Sequence, residues 1–474
     1  MRCPELSVHT AAAQYGDELA VVEGERGLSF RELSSEVARA QEDLQGRLLP
    51  GRRVALVARP DLRSLILLSA VLEEGSVPCF LHPRLPAETR ALLAGRVGAA
   101  MVPGLTEDAA EQTTVPPAAA LRERSVSSAS DLALFFTSGS TELPKGVRLS
   151  SRAFVASAVA SERNLGWRED DRWLCSLPLA HIGGFSVLTR TRLAGRTLVL
   201  PEPRMPAGFD PSRFVEQLAR RRITLASLVP TMLARLIRAG LAAPATLRAV
   251  LIGGAALDPE LAQAARELGW PTLASYGLTE ACSQVATQRP GAPWAAGSGM
   301  PLSGLEVDVA DGEIRLRGPA LFSGYVPEDA PPFDDDGWFR TGDLGRFDAQ
   351  GHLLVEGRAR DLVITGGENV APGRVEAVLR GLAEVEEVVV MGLPDREWGE
   401  VVAAVLVAPA ADPCVLAPKR LRNRLEGRLA GFERPRRVFL ASSLPLLPNG
   451  KIDRGEIRRR AQGSGFAELS DDLA

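Results

Sequence analysis

Lysine is nearly missing from this 474-residue chain: of its 55 lysines and arginines, only Lys145, Lys419 and Lys451 are lysine. Arginine serves almost everywhere else, so a surviving lysine marks a place where a compact, flexible ammonium does what a planar guanidinium cannot. Two of the three stand beside glycine in loops suited to phosphate, Thr137-Ser138-Gly139-Ser140-Thr141-Glu142-Leu143-Pro144-Lys145-Gly146 and Leu447-Pro448-Asn449-Gly450-Lys451-Ile452. Net positive charge is also missing. A formal charge of −4 removes the electrostatic case for nucleic acid or an anionic membrane as partner and leaves small molecules. Every apolar run is broken by charge short of a membrane span, and Met1-Arg2-Cys3-Pro4-Glu5 starts no apolar signal segment. Membrane insertion and secretion are therefore not expected, and a cytoplasmic location is. Cysteine is scarce, odd in number and scattered (Cys3, Cys79, Cys175, Cys282, Cys414), without metal-ligand spacing, which suits reduced thiols. Cys282 reads as packing rather than as a nucleophile.

What is present is an ordinary globular composition, 45% hydrophobic and 24% charged, in a chain too long for one hydrophobic core. Short apolar strands alternate with amphipathic helices, the pattern of a mainly parallel α/β sheet. Ser29 and Glu32 form a capping box opening a helix toward Gln45, and Arg53-Val54-Ala55-Leu56-Val57 follows as a buried strand. Leu247 to Ile252 reads as a strand and Gly253-Gly254-Ala255 as its turn, after which Asp258 caps a helix with Pro259 at its first position. From about 301 to 355 short elements and frequent glycine predict a β-rich subdomain. The expected architecture is α/β: a large domain of mixed and parallel sheets over 1–359, including that subdomain, and a small α+β domain over 360–474. In the latter, helices are expected near Val375 to Leu382 and Lys419 to Ala430, around strands at Val388-Val389-Val390 and Ala403 to Val407. Residues 109–130 read as a surface loop and the tail after Gly463 as frayed. No internal repeat is found.

The strand expected at Leu132-Ala133-Leu134-Phe135-Phe136 runs into the first lysine loop. Glycine lets that loop turn tightly and aim N–H groups at an anion, Thr137, Ser138, Ser140 and Thr141 add hydroxyl donors, and Lys145 adds a point charge. Polyphosphate binding is what this set does well, although the spacing is not that of a Walker loop. Thr137 to Gly146 resembles the phosphate loop of the adenylate-forming superfamily, which includes acyl-CoA synthetases, luciferases and the adenylation domains of peptide synthetases. Further motifs recur in order along nearly the whole chain. Ser275-Tyr276-Gly277-Leu278-Thr279-Glu280 resembles the adenylate-binding strand and loop, and Arg340-Thr341-Gly342-Asp343 the ribose-binding turn. Gly357-Arg358-Ala359-Arg360-Asp361 with Thr365-Gly366-Gly367-Glu368-Asn369 resembles the interdomain hinge and the loop after it, and Pro448 to Lys451 the C-terminal catalytic lysine.

The resemblance implies a role for each of these residues. Thr137, Ser138, Gly139, Ser140, Thr141 and Lys145 would hold phosphates. Gly253, Gly254 and Ala255, with Ser275, Tyr276 and Gly277, would line the adenylate. Asp343 would take the ribose hydroxyls, and Arg358 a ribose or phosphate oxygen, a structural ion pair being the competing reading for Arg358. Glu280 would ligate Mg2+, Thr279 would reach the α-phosphate, and His181 would stand beside the carboxylate. ATP, Mg2+ and coenzyme A are the implied cofactors and co-substrates. The implied reaction is activation of a carboxylic acid as its acyl-adenylate, then transfer to a thiol. Between the two steps a mobile small domain would withdraw Lys451 and bring in the Gly366-Gly367 loop. Two positions depart from the family pattern: Glu142 where glycine is common, and Arg360 where the hinge usually has aspartate or lysine. His181-Ile182-Gly183-Gly184-Phe185-Ser186-Val187-Leu188-Thr189-Arg190 and Tyr276 to Thr287 look most like the branch whose aromatic acid carries a second carboxylate. Arg190 is then the candidate contact for that carboxylate, with Ser283, Gln284 and Thr287 as neutral donors; a helix-surface arginine is the alternative. Another aryl- or fatty-acyl-CoA ligase, a carrier-loading adenylation enzyme and a non-catalytic adenylate-binding relative stay open, as does assembly into a homo-oligomer.

Overall fold

The computed structural model describes residues 4–102, 104–106, 131–137, 144–202, 209–327, 332–409, 412–446 and 452–470. The chain divides into two compact units. The first is Met1–Val307 with Leu316–Phe339 and Gly351–Leu353; the second is Asp308–Arg315 with Arg340–Gln350 and Leu354–Ala474. This division groups 308–315, 340–350 and 354–359, expected in the large domain, with the C-terminal residues.

In the first unit a nine-stranded sheet runs in the order Met300–Pro301, Ser283–Thr287, Thr272–Leu278, Ala249–Ile252, Leu225–Leu228, Arg172–Leu174, Thr197–Val199, Leu19–Glu23, Arg26–Ser29. The pairings from Thr272–Leu278 across to Leu19–Glu23 are parallel, and the outer ones are antiparallel. Leu225–Leu228 and Ala249–Ile252 are buried at every position, as strands covered on both faces must be. Phe214 and Leu218 from the helix before these strands, and Leu233, Leu236 and Ala265 from the helices after each of them, form the cover together with Trp270. Because the inner strands run the same way, their carboxyl ends open onto one edge, where the turns at 175–181, 229 and 253–255 emerge.

A six-stranded sheet in the same unit has the order Gly324–Val326, Lys145–Ser150, Asp131–Thr137, Val77–Leu81, Arg53–Val57, Ala100–Met101. The helix Ile182–Ala194 is buried all round from Gly184 to Arg192. Its Phe185 closes an aromatic cluster with Phe80 and Phe135 of this sheet and Phe154 of the helix Ser151–Leu165, at centroid distances of 4.9 to 5.6 Å. Such aromatic packing helps fix the helix to the sheet.

In the second unit a central strand pair, Glu387–Asp395 and Gly399–Val407, is apolar on both faces. Val388 and Val390 face one core with Val375 and Leu379, while Val389, Met391 and Leu393 face another with Phe439 and Ile457. Period-two alternation thus builds two cores from one strand. The helix expected from Lys419 to Ala430 is only Pro418–Arg424; Gly427 (φ +77°) lies beyond its end in a left-handed conformation that an α-helix cannot continue through. Of the tail after Gly463, the described residues as far as Ser470 are seated rather than frayed. Ala467–Glu468 pairs with Arg437–Leu440, Leu469 is buried, and Glu468 bonds Arg437 at 2.6 Å. The surface loop expected at 109–130 lies outside the described residues. Among the described residues no helix is long and apolar enough to cross a membrane.

Candidate active site

Sequence residues from four segments of the first unit meet around Glu280. The strand Thr272–Leu278 ends in a single 3-10 turn, Thr279–Ala281, that presents Glu280. Its return strand comes so close that a Cβ on Gly277 would lie 1.6 Å from the Ser283 carbonyl oxygen, so this position requires glycine. Tyr325 donates its hydroxyl proton to Glu280 Oε1 at 3.0 Å. The Tyr325 ring lies 5.6 Å from Lys145 Nζ, and Lys145 itself pairs with Thr137 across the antiparallel strands flanking the hydroxyl-rich loop. Ser138, Gly139, Ser140, Thr141 and Glu142 lie outside the described residues, as does Lys451. Ser275, Gln284 and Thr287 form one network: Ser275 Oγ lies 2.8 Å from Thr287 Oγ1, which also accepts from Gln284 Nε2 at 2.8 Å. Ser283 sits beside it at φ +97°. Gly253 follows the neighbouring strand and, with its backbone under Ser275, leaves ordinary van der Waals room, while Gly254 (φ +84°) and Ala255 are exposed.

His181 occupies the N-cap position of the buried helix, its ring 5.3 Å from that of His82. His82 was not singled out by the sequence. Its Nδ1 accepts the Arg84 main-chain N–H at 3.1 Å, and burial, then the charge on Arg84, pushes its pKa down to about 4. It is a neutral ring with its proton on Nε2.

Further along that helix, Arg190 is not a surface residue: it is 3% exposed, its guanidinium 5.6 Å from the Trp173 ring. Among the described residues, its Nε and Nη2 have no hydrogen-bond partner, and burial lowers its pKa to about 9. Arg192, two residues on, is equally buried but satisfied, donating to the Leu6 carbonyl at 3.1 Å and to Ser69 Oγ at 2.8 Å. A buried guanidinium left with free donors is costly unless a ligand completes it. Cys282 is fully buried with its thiol pushed up by burial, which fits packing.

In the second unit the two residues assigned to ribose are together. Arg358 Nε lies 2.9 Å from Oδ1 of the buried Asp343. The turn that carries Asp343 is tied down by Thr341, whose hydroxyl donates to the Ile314 carbonyl at 2.7 Å and accepts from Asp343 N–H at 3.0 Å. Arg360 makes a loose, exposed pair with Asp361 at 3.7 Å. Gly366 (φ +59°) donates its N–H to the Trp398 carbonyl at 2.9 Å, and a Cβ there would strike the Trp398 ring at 2.7 Å. Gly367 (φ +86°) faces open space.

A family model described as AMP-binding enzyme matches residues 8–326, and one described as AMP-binding enzyme C-terminal domain matches 374–451. The chain belongs to the AMP-binding enzymes. A 2-succinylbenzoate–CoA ligase of Bacillus pumilus is 32% identical over 499 residues, spanning 99% of this chain and 100% of that protein. The o-succinylbenzoate CoA synthetase of Bacillus subtilis in complex with its acyl-adenylate intermediate has a TM-score of 0.81 at 29% identity, covering 95% of this chain and 97% of that one. The same synthetase in complex with ATP and a magnesium ion gives 0.81 at 28%, covering 95% and 98%.

For an AMP-binding enzyme the donor set around Glu280 is chemically apt. Among the described residues no group of three or more His, Cys, Asp or Glu could cage a metal ion. A carboxylate such as that of Glu280 suits Mg2+, which keeps its waters and takes phosphate oxygens as ligands in preference to an all-protein cage. A cavity of about 370 Å³ lined by Glu18, Asp171, Arg172, Arg196, Arg222 and Thr246 among others lies at the amino ends of the parallel strands. That is the edge opposite the turns bearing His181 and Gly253, so it is set apart from this chemistry.

Proposed function

We propose that this chain is an acid–thiol ligase that uses ATP and Mg2+ to join 2-succinylbenzoate to coenzyme A through an acyl-adenylate, a step of menaquinone biosynthesis. The names of the relatives support the activity. The observation that carries the choice of acid is Arg190: a buried cation with unmet donors on the His181 helix, able to receive the carboxylate that is not activated.

In the first half-reaction a carboxylate oxygen attacks the α-phosphorus of ATP, the bond to the β-phosphate oxygen breaks, and pyrophosphate leaves. Lys145 and the hydroxyls from Thr137 to Thr141 hold phosphate oxygens, Glu280 contributes a ligand to the Mg2+ that neutralises them, and Thr279 reaches the α-phosphate. Ser275, Tyr276, Gly277 and the 253–255 turn bound the nucleoside, while Asp343 and Arg358 take the ribose. His181, backed by the neutral His82, stands beside the reacting carboxylate, with Ser283, Gln284 and Thr287 toward the acid. Lys451 is assigned to the developing charge between carboxylate and phosphate. In the second half-reaction the CoA sulfur attacks the acyl carbon and AMP leaves, with the Gly366-Gly367 loop assigned to the thiol. Residues 360–474 are read as the small domain that turns about Arg360 between the steps.

The test measures pyrophosphate release and CoA thioester formation with succinylbenzoate, benzoate and medium-chain fatty acids, for the native chain and Arg190→Ala. A charge-assisted hydrogen bond is worth roughly 1.5–3 kcal/mol, so kcat/KM for succinylbenzoate should fall about 10- to 100-fold in the variant. Benzoate should be unaffected. Equal loss on both acids would remove the assignment.

A further inference from the structure

Glu280 and Lys145 share a neighbour to which no role has been given above. Tyr325 lies in the strand Gly324–Val326, which pairs antiparallel with the strand Lys145–Ser150 so that Tyr325 faces Val147 and Val326 faces Gly146. The register puts the Tyr325 ring beside the strand end that bears Lys145. Its hydroxyl reaches Glu280 Oε1 (3.0 Å) and its ring lies 5.6 Å from Lys145 Nζ. The same segment also holds the main chain of Glu280, whose carbonyl accepts the Phe322 N–H at 2.8 Å. Phe322 in turn meets the Tyr325 ring edge-on, with centroids 4.8 Å apart at 65°.

We propose that Tyr325 is a positioning residue that sets the carboxylate and the ammonium of the nucleotide site together; this rests on the reading of Glu280 and Lys145 given above. A neutral phenol orients a carboxylate through one oxygen without cancelling the negative charge that a divalent cation takes. A lysine or arginine in that place would cancel the charge the cation needs. The ring face attracts the ammonium more weakly than a carboxylate would, so this contact holds Lys145 near the site without neutralising the charge that phosphate takes. One side chain thereby links metal affinity to phosphate affinity.

The experiment is calorimetric titration of the full chain with ATP, with and without Mg2+, for the native protein, Tyr325→Phe, Tyr325→Leu and Glu280→Gln. In the native protein Mg2+ should tighten ATP binding. Tyr325→Phe keeps the ring and loses the hydroxyl, so it should bind metal-free ATP as the native protein does and lose about 5- to 10-fold of the gain from Mg2+. Tyr325→Leu should lose that gain and also bind metal-free ATP about 3-fold more weakly, because the ring under Lys145 is gone. Glu280→Gln should abolish the gain. If Tyr325→Phe keeps the full gain while Glu280→Gln loses it, the positioning role of Tyr325 is wrong and the reading of Glu280 stands. Should Glu280→Gln keep it too, both are wrong.

Discussion

Arg190 and Arg192 are two residues apart on one buried helix, and the difference between them separates a ligand group from a structural one. Arg192 gives its donors to the Leu6 carbonyl and Ser69 Oγ, with buried Glu73 nearby raising its pKa against the burial that lowers it to about 10. Its charge is part of how the N-terminal segment is fastened. Arg190 has only the Trp173 ring and no acceptor for Nε or Nη2 among the described residues. A desolvated cation without a partner lowers stability, whereas removing one side of a satisfied buried pair strands the other. Opposite outcomes therefore follow from the same substitution. Arg192→Met should cost roughly 2–4 kcal/mol in urea unfolding, through the unmet Leu6 carbonyl and Ser69 hydroxyl and the loss of a positive charge near Glu73, which keeps its bonds from the Val8 N–H and the Ser7 hydroxyl. Arg190→Met should leave the unliganded protein unchanged or more stable by about 1–3 kcal/mol, while its affinity for the dicarboxylic acid collapses. A large stability loss in Arg190→Met would mean that the protein itself satisfies this guanidinium.

At the level of elements, the hairpin of Thr272–Leu278 and Ser283–Thr287 is where sequence constraint and chemistry meet. The strands register Gly277 against Gln284 with an irregularity between Tyr276 and Gly277, and the turn they enclose carries Glu280. Gly277→Ala drives a methyl into the Ser283 carbonyl, a main-chain clash that no rotamer relieves. It should cost about 3 kcal/mol or more in stability, seen as a lowered urea midpoint, and weaken Mg2+-dependent ATP binding with it. An unchanged midpoint would show that the return strand is not held this closely. Features that depend on neighbours in sequence were legible beforehand. The Ser29–Glu32 capping box forms with both of its bonds, Asp258 caps a helix begun by Pro259, and the glycines at 254, 277 and 366–367 stand where turns or close approaches need them. What the sequence hid depends on pairing between distant segments. Tyr325 reaches Glu280 only because Gly324–Val326 joins the edge of the six-stranded sheet, and His82 meets His181 only because a helix is packed on that sheet. Neither carries a local signal. The seated tail, likewise, is held by a strand 27 or more residues earlier in the chain.

For the whole molecule, the scarcity of lysine has a consequence that one variant can test. Lys145 is placed near Glu280 through Tyr325 within the first unit, while Lys451 belongs by sequence to the other. If Lys451 serves only while the acid is being primed, the two half-reactions must respond to its loss unequally. An ammonium about 4 Å from the charge developing on the α-phosphate contributes about 4 kcal/mol at an effective dielectric near 20, or on the order of a thousandfold in rate. Lys451→Ala should lose roughly that much in pyrophosphate release, yet convert a supplied succinylbenzoyl-adenylate and CoA to thioester at close to the native rate. Lys451→Arg discriminates further. If charge alone were needed, arginine, which this chain uses for nearly every other cation, would restore priming. A rigid planar guanidinium, however, cannot place a single point charge between carboxylate and phosphate as a flexible ammonium does, so Lys451→Arg should remain slow in the first half-reaction and normal in the second. Full rescue by arginine, or equal loss of both half-reactions in Lys451→Ala, would end the division of labour assigned to this residue.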